Sequence, residues 1–315
     1  MNTHRIYTMG VHQFNQSFGK AGRLVKKIET EIAGAVIGYD ISIPICASIK
    51  AMYHGTHLTD PMGIPTAGTN TLLSNILRFQ NANAKVIGIC DNPKPNPYKS
   101  AEYKKRRDAR KLAEQKAQNT DDVDEKKRYE AAAWSLDAAV IADAQLLMKH
   151  MGVEFHIAPQ GREAEQYAAD LAKDGEIDIV ISNDTDAVMF GAPIVILNNT
   201  DKKTKTQYPY IVYKIDEILA TCNIEMHTFQ KMCVALGTDF APKTKGVGPK
   251  TVFTSGKNKQ LNIEQEAALL YIRSELPLSD VKVSITSLNK KSLIDWLVES
   301  KGFNRDRIVK KLKSL

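Results

Sequence analysis

Four short apolar runs separated by long amphipathic stretches place the strongest restriction on the fold of this chain. The runs are AVIGY at 35–39, KVIGIC at 85–90, VEFHIA at 153–158 and IDIVIS at 177–182. Each has the length and composition of a strand that is buried on both faces. Helical periodicity fills the intervals, at roughly 67–79, 99–118, 125–151 and 162–173. Strands that alternate with helices predict an α/β fold with a parallel sheet and crossover helices.

The remainder of the chain has a different pattern. PIVILN at 193–198 and YIVY at 210–213 are expected to extend the sheet, whereas residues after 214 show helical patterns interrupted by glycine. No run of about 18 apolar residues is present, so we expect no membrane span. The N-terminus lacks the apolar stretch of a signal peptide. The four cysteines are scattered and indicate buried thiols in a reducing compartment: Cys46, Cys90, Cys222 and Cys233.

An acidic residue follows every one of the four buried strands. Because the carboxyl ends of parallel strands lie at one edge of a sheet, these side chains are expected to meet there. A single acid at such a position is an ordinary turn or helix cap. The acids are Asp40, Asp91, the pair Glu163 and Glu165, and the pair Asp184 and Asp186; a seventh, Asp239, follows a helix at 227–237.

Several carboxylates at one edge repel one another and raise one another's pKa values. Divalent cations relieve this repulsion. All the candidate ligands are oxygen atoms, with no convergent His or Cys, which favours Mg²⁺ or Mn²⁺ over zinc. The Asp-x-Asp and Glu-x-Glu spacings suit two ions about 4 Å apart, an arrangement that hydrolyses phosphodiesters.

Positive charge is concentrated in one predicted helix. The net charge of the chain is +7, and residues 99–116 hold eight Lys and Arg side chains against three acids. Such a stretch is either a solvated helix face or a surface for a polyanion. Lys99 and Arg106 are seven positions apart, so we expect them to project from one helix face about 10 Å apart.

The acidic and basic motifs together resemble those of the flap endonuclease (XPG-type) structure-specific 5′ nucleases, over nearly the whole chain. The matching motifs are IGYDISI, CDNPKPNPYKSAEYKKR, APQGREAEQYAADL, SNDTDAVMFG and LGTDFAPKTKGVGPK. The resemblance implies a PIN-like nuclease core with a parallel sheet and a helical arch, followed by a helical helix-hairpin-helix (H2TH) DNA-binding region. The implied segments are 9–115 and 148–237 for the nuclease, 116–147 for the arch and 238–315 for the DNA-binding region.

The resemblance also implies roles for individual residues. Lys99 and Arg106 would be catalytic and contact the scissile phosphate. The low apolar content near 115–124 separately predicts that this part of the arch is mobile without DNA. Two Mg²⁺ ions, replaceable by Mn²⁺, would share seven ligands. One ion would be held by Asp40, Asp91, Glu163 and Glu165, and the other by Asp184, Asp186 and Asp239 with help from Glu165.

The hairpin KGVGPKTVF at 245–253 is expected to open a helix and to hold the DNA backbone. Its glycines allow close approach, and helix N-terminal amides bind phosphate. In the flap endonuclease family this element also holds a monovalent cation, so the resemblance implies that K⁺ binds at the hairpin of this chain. The candidate DNA-binding residues are Lys243, Lys245, Gly246, Gly248 and Lys250.

The two chain ends depart from the family pattern. Met9-Gly10 stands where the family begins with Met-Gly, so we expect translation to start at Met9 or residues 1–8 to be dispensable. The tail SKGFNRDRIVKKLKSL lacks paired aromatic residues. We therefore expect no sliding-clamp binding through it, and we expect Ile308 and Leu312 to pack against the core.

Three functions are compatible with these features. The first is a Mg²⁺-dependent 5′ flap endonuclease that cuts branched DNA near single-strand/duplex junctions during replication and repair. The second is a 5′–3′ exonuclease or junction-resolving nuclease of the same family. The third is a non-catalytic structure-specific DNA-binding protein, for which missing ligands would be the mark. We expect a monomer located at intracellular DNA, in the nucleus or in the cytoplasm or a viral factory.

Overall fold

The computed structural model describes residues 10–55, 58–256, 258–274 and 288–314. Met9 and residues 1–8, which bear on the predicted translation start, lie outside the described residues. Within the described residues the chain forms one seven-stranded sheet flanked by helices. The predicted α/β class is confirmed.

The sheet is parallel at its centre and antiparallel at one side. Its strands run in the order β1-β7-β6-β5-β2-β3-β4. The pairs formed by β2, β3, β4, β5 and β6 are parallel, and β7 pairs antiparallel with both β6 and β1. The strands are β1 (Arg23–Val25), β2 (Val36–Asp40), β3 (Lys85–Cys90), β4 (Glu154–Ile157), β5 (Ile179–Ile181), β6 (Ile194–Asn198) and β7 (Tyr210–Lys214).

Fourteen α-helices are found in the described ranges. They are α1 (Phe14–Phe18), α2 (Glu29–Ile32), α3 (Ser42–Met52), α4 (Ala67–Asn81), α5 (Ser100–Gln118), α6 (Val123–Ala133), α7 (Ala138–Met151), α8 (Ala164–Lys173), α9 (Asp186–Met189), α10 (Ile215–Cys222), α11 (Met226–Leu236), α12 (Ile263–Arg273), α13 (Lys290–Asp295) and α14 (Arg305–Lys311). No single helix among the described residues is long and apolar enough to cross a membrane, although the pair α6 and α7, bent by 72°, passes that test by length and composition.

The sheet separates two apolar cores. In β3, Ile87 and Ile89 belong to one core, and Val86 and Cys90 belong to the other. Since successive side chains of a strand point to opposite faces, the two cores lie on opposite faces of the sheet. Residues of α1, α8, α9, α11 and α12 fill the first core, and residues of α3, α4, α7, α13 and α14 fill the second.

Three elements differ from the sequence expectation. Strand β1 escaped prediction because it is a three-residue edge strand with two exposed side chains, which gives no clear alternation. Helix α3 was also not predicted. The single helix expected at 125–151 is broken between Ala133 and Ala138, where the Asp137 side chain accepts a hydrogen bond from the backbone N–H of Val140 and caps a new helix.

The C-terminal helices are part of the second core. Ile308 and Leu312 are buried in it, which confirms their predicted packing. Lys301 is also buried, and its Nζ atom lies 2.8 Å from Asp60 Oδ2 and 2.6 Å from Asp143 Oδ1. This ion triad joins the segment before α14 to the α3–α4 loop and to α7.

Replacement of Lys301 by Met should destabilise the protein by about 3–5 kcal/mol, because it leaves two carboxylates with little solvent and no counter-charge. The free energy of unfolding in urea measures this effect. The exposed Lys310 provides the control, and Lys310→Met should change stability by less than about 0.5 kcal/mol. Equal stability of the two variants would contradict the structural role of the triad.

Candidate metal centre

Strand ends place the predicted acids at one edge of the sheet. Asp40 is the last residue of β2, and Asp91 directly follows β3. Glu163 is the N-cap of α8 and Glu165 lies in its first turn. Asp184 lies in the turn that joins β5 to α9. These connections are short, so the side chains remain close to the carboxyl ends of the parallel strands.

Two groups of three carboxylates have the spacing of metal ligands. Within each group, one oxygen atom from each residue lies within 4.8 Å of the others. Glu165 belongs to both groups, so the two positions adjoin. The groups are Asp91, Glu163 and Glu165, and Glu165, Asp184 and Asp186.

Asp40 and Asp239 lie beside these groups and are held by other partners. Asp40 accepts hydrogen bonds from the Ser182 hydroxyl at 2.8 Å and from the Ser42 backbone N–H at 3.1 Å. Asp239 Oδ2 accepts a hydrogen bond from Arg106 at 2.6 Å. All seven predicted acids therefore come together at one edge, but five of them form the compact groups.

The buried carboxylates are electrostatically costly. Burial, and next the charge of Asp91, raises the pKa of Asp40 to about 7. Burial raises the pKa of Asp184 to about 6, although Lys99 opposes the shift. Burial followed by the charge of Asp184 raises the pKa of Asp186, and burial raises that of Glu165. A cation bound among these carboxylates would reduce their mutual repulsion.

Asp186 provides the clearest test of whether these residues fit a cation. Its side chain is 0% exposed, and neither carboxylate oxygen has a hydrogen-bond partner among the described residues. Buried carboxylates are normally paired or coordinate a metal. The surrounding donors are carboxylate oxygens, which suit Mg²⁺ or Mn²⁺. The residues present fit a divalent ion.

Lys99 occupies the centre of the acidic groups. Its Nζ atom lies 3.0 Å from Glu163 Oε2, 3.5 Å from Glu165 Oε1 and 3.7 Å from Asp239 Oδ2. Burial opposes the charge of this ammonium, but the carboxylates around it outweigh burial and raise its pKa well above the ordinary value. Lys99 therefore supplies positive charge in the place where the ligands converge.

Arg106 meets Lys99 at the same carboxylate. Its Nη2 atom lies 2.6 Å from Asp239 Oδ2, and its Nε atom lies 2.9 Å from Glu102. The expectation that Lys99 and Arg106 project about 10 Å apart from one helix face is wrong for their charged ends. Lys99 lies in a 3₁₀ turn, Pro97–Lys99, before α5 begins, so its side chain does not follow the direction set by that helix.

Two further residues complete the centre. Gly10 has a φ of +84°, and a Cβ atom there would overlap Asp184 Oδ1, so only glycine fits this position. Tyr103 was not predicted, and its hydroxyl donates a hydrogen bond to Glu163 Oε1 at 3.1 Å. Its position four residues after Lys99 was the one available signal.

The predicted DNA-binding hairpin forms a compact turn. Gly246 has a φ of +82°, and the Gly248 N–H donates to Thr251 Oγ1 at 2.8 Å. The following helix is a single π-helical turn, Val252–Gly256. Lys243, Lys245 and Lys250 are exposed, as is Lys259, which was not predicted and which donates to the Lys245 carbonyl.

The raised pKa values of Asp40 and Asp184 predict that the metal-free protein becomes more stable as the pH falls from about 8 to 5. In this window the folded state takes up protons that the unfolded state does not yet bind, because unfolded Asp titrates near pH 3.9. Urea unfolding in EDTA across this range measures the slope.

A double variant, Asp40→Asn with Asp184→Asn, should have a smaller slope, because it lacks the proton uptake of these two carboxylates, and it serves as the control. Saturating Mg²⁺ should suppress it in the unaltered protein, because a bound cation competes with protons. The raised pKa values of Asp40 and Asp184 would be contradicted if the free energy of unfolding in EDTA rose with pH. They would also be contradicted if the double substitution left its pH dependence unchanged.

The chain is similar to known nucleases in sequence and in fold. The XPG I-region model matches residues 152–239. Flap endonuclease 1 of Trypanosoma cruzi is 28% identical over 312 residues, which covers 90% of this chain and 78% of the relative. Among solved structures, flap endonuclease-1 from Methanococcus jannaschii has a TM-score of 0.68 at 22% identity and covers 93% of this chain and 94% of its own.

The catalytic core of Rad2 in complex with DNA substrate has a TM-score of 0.71 at 17% identity and covers 96% of this chain and 99% of its own. The fold of the whole described chain is thus that of these nucleases. The matched I-region contains five of the seven carboxylates: Glu163, Glu165, Asp184, Asp186 and Asp239. The chain is thus similar in sequence to flap endonucleases, and its residues 152–239 match the XPG I-region family.

Proposed function

We propose that this protein is a structure-specific flap endonuclease that hydrolyses DNA phosphodiesters near single-strand/duplex junctions. The observation that carries the proposal is the convergence of seven carboxylates beside Lys99 and Arg106 at one sheet edge. An acidic centre flanked by two fixed cations suits a phosphodiester, because metals and cations together neutralise its charge. Such an enzyme acts on intracellular DNA in replication and repair.

The centre would hold two Mg²⁺ ions, for which Mn²⁺ can substitute. Asp91, Glu163 and Glu165 would hold the first, with Asp40 next to them, and Glu165, Asp184 and Asp186 would hold the second, with Asp239 alongside. When bound, such ions activate a water molecule and stabilise the leaving oxygen. The protein would contribute the spacing of its ligands through short, buried strand ends.

Lys99 and Arg106 would act on the phosphate. Without DNA they neutralise Asp239 and its neighbours. Lys99 and Arg106 would turn toward the scissile phosphate once the carboxylates no longer need their charge. Their charge would then stabilise the additional negative charge of the transition state.

Two other surfaces would hold the DNA. The exposed lysines Lys243, Lys245, Lys250 and Lys259 surround the hairpin with Gly246 and Gly248, and would contact the duplex backbone without reading bases. Carbonyl groups of this turn would hold K⁺. Helices α5 and α6, which pack together beside the centre, would form the arch over a single 5′ strand. We propose a monomer that does not use its tail for sliding-clamp binding.

Asp184→Ala should reduce cleavage of a labelled 5′ flap in Mg²⁺ by several orders of magnitude, while the Kd for the same DNA changes little. A metal ligand acts mainly on the chemical step, so kcat falls and substrate binding persists. Equal cleavage by the variant and the unaltered protein would rule out the acidic centre as the active site.

The substrate preference is tested in the same assay. A labelled 5′ flap, a recessed 5′ end and a four-way junction are compared at equal enzyme concentration. The proposal predicts the highest kcat/KM on the flap. Preference for the recessed end would make the protein a 5′–3′ exonuclease, and preference for the junction would make it a resolving enzyme.

Lys99→Met should have opposite effects on metal binding and on cleavage. Removal of an ammonium 3.0 Å from Glu163 should increase the Mn²⁺ affinity of the DNA-free protein, by about tenfold or more for one nearby charge. Flap cleavage should fall, because the phosphate loses a cation.

Mn²⁺ titration followed by electron paramagnetic resonance, together with flap cleavage, measures both effects. Lys104→Met, which removes an exposed lysine of α5, is the matched control and should leave the Mn²⁺ affinity unchanged. Unchanged cleavage by Lys99→Met would show that Lys99 does not act on the phosphate.

A further inference from the structure

We propose that Tyr103 is a positioning residue that fixes Glu163 in the orientation required for metal binding. The proposal rests on the metal centre described above and adds a residue outside the carboxylate set. Glu163 is the N-cap of α8, and its side chain does not cap that helix. Its orientation therefore has to come from other partners.

The two oxygens of Glu163 have different partners. The Tyr103 hydroxyl donates to Oε1 at 3.1 Å, whereas Oε2 lies 3.0 Å from Lys99 Nζ. Oε2 thus lies beside the ammonium that also contacts Glu165 and Asp239, and Oε1 lies beside a residue of α5. This division leaves Oε2 as the oxygen that a metal ion can use once Lys99 has moved.

The surroundings of Tyr103 determine the direction of its hydrogen bond. The backbone N–H of Asn96 donates to the Tyr103 oxygen at 3.4 Å, so the single phenolic proton is directed to Glu163. The phenol keeps its proton at physiological pH, because an ordinary tyrosine titrates at about pH 10. Asn96 is itself buried and is fixed by hydrogen bonding to Tyr271.

The Tyr103 hydroxyl also connects Glu163 to helix α5. Tyr103 lies in the first turns of α5, between Lys99 and Arg106. Its bond to Glu163 therefore sets the distance between that helix and the first carboxylate group. Partners that orient a metal ligand in this way commonly change metal affinity by about 10–100-fold when they are removed.

The variant Tyr103→Phe tests the proposal. Two quantities are measured: the Mn²⁺ affinity of the DNA-free protein and the cleavage activity. We expect Mn²⁺ binding, measured by electron paramagnetic resonance, to weaken about tenfold. At low Mn²⁺ concentration kcat on a flap should fall, and excess Mn²⁺ should restore it, while KM for DNA stays the same. Tyr98→Phe is the matched control, since it removes a hydroxyl from a half-exposed ring that stacks on Tyr271, and it should bind Mn²⁺ as the unaltered protein does.

A double-mutant cycle with Glu163→Gln separates positioning from a general structural effect. If Tyr103 acts through Glu163, Tyr103→Phe should cause little further loss of Mn²⁺ affinity in the Glu163→Gln background. The same loss in both backgrounds would overturn the proposal. So would equal Mn²⁺ affinity of Tyr103→Phe and the unaltered protein.

The outcomes also distinguish this inference from the proposed function. If the unaltered protein does not bind Mn²⁺, the metal centre itself is wrong. If it binds Mn²⁺ and cleaves a flap, but Tyr103→Phe does so equally well at every Mn²⁺ concentration, only the role of Tyr103 is rejected. Thermal unfolding in EDTA checks that the variant is folded, and a lower midpoint alone does not account for a loss that excess Mn²⁺ reverses.

Discussion

Repulsion between carboxylates gathered at one edge of a sheet is the constraint on which this structure depends. A parallel sheet brings the carboxyl ends of β2, β3 and β5 together, and each of these ends leads to an aspartate. Burial removes the water that would screen their charges, which raises the pKa values of Asp40 and Asp184 to about 7 and about 6. Cations near the acids offset part of this cost.

In the absence of metal, the protein supplies those cations itself. Lys99 lies among Glu163, Glu165 and Asp239, and Arg106 of α5 binds Asp239. The side chains proposed to act on the phosphate are thus the ones that hold the centre together before metal arrives. In this proposal, assembly of the metal centre is linked to the placement of Lys99 and Arg106, because one side chain cannot neutralise the acids and contact DNA at the same time.

Much of the site could be predicted from the sequence, because strand patterns and acid positions are local features. The four buried strands and the acids after them follow from apolar runs that end in Asp or precede Glu-x-Glu. The sheet order and the edge strand β1 could not be predicted, because they depend on pairing between strands that are distant in the sequence. The break before α7 could not be predicted either, because it depends on a helix cap. The contact of Tyr103 with Glu163 joins residues 60 positions apart, and the convergence of Lys99 and Arg106 on Asp239 arises from a turn that helical periodicity does not describe.

Anomalous diffraction from crystals containing Mn²⁺ locates each ion and thereby tests whether the acids at the sheet edge form a metal centre. We expect two peaks, one bound by Asp91, Glu163 and Glu165 and one bound by Glu165, Asp184 and Asp186. We also expect the Lys99 ammonium to be displaced from its position among the acids. No peak at this edge at saturating Mn²⁺, with Lys99 still bound to Glu163 and Glu165, would contradict these expectations.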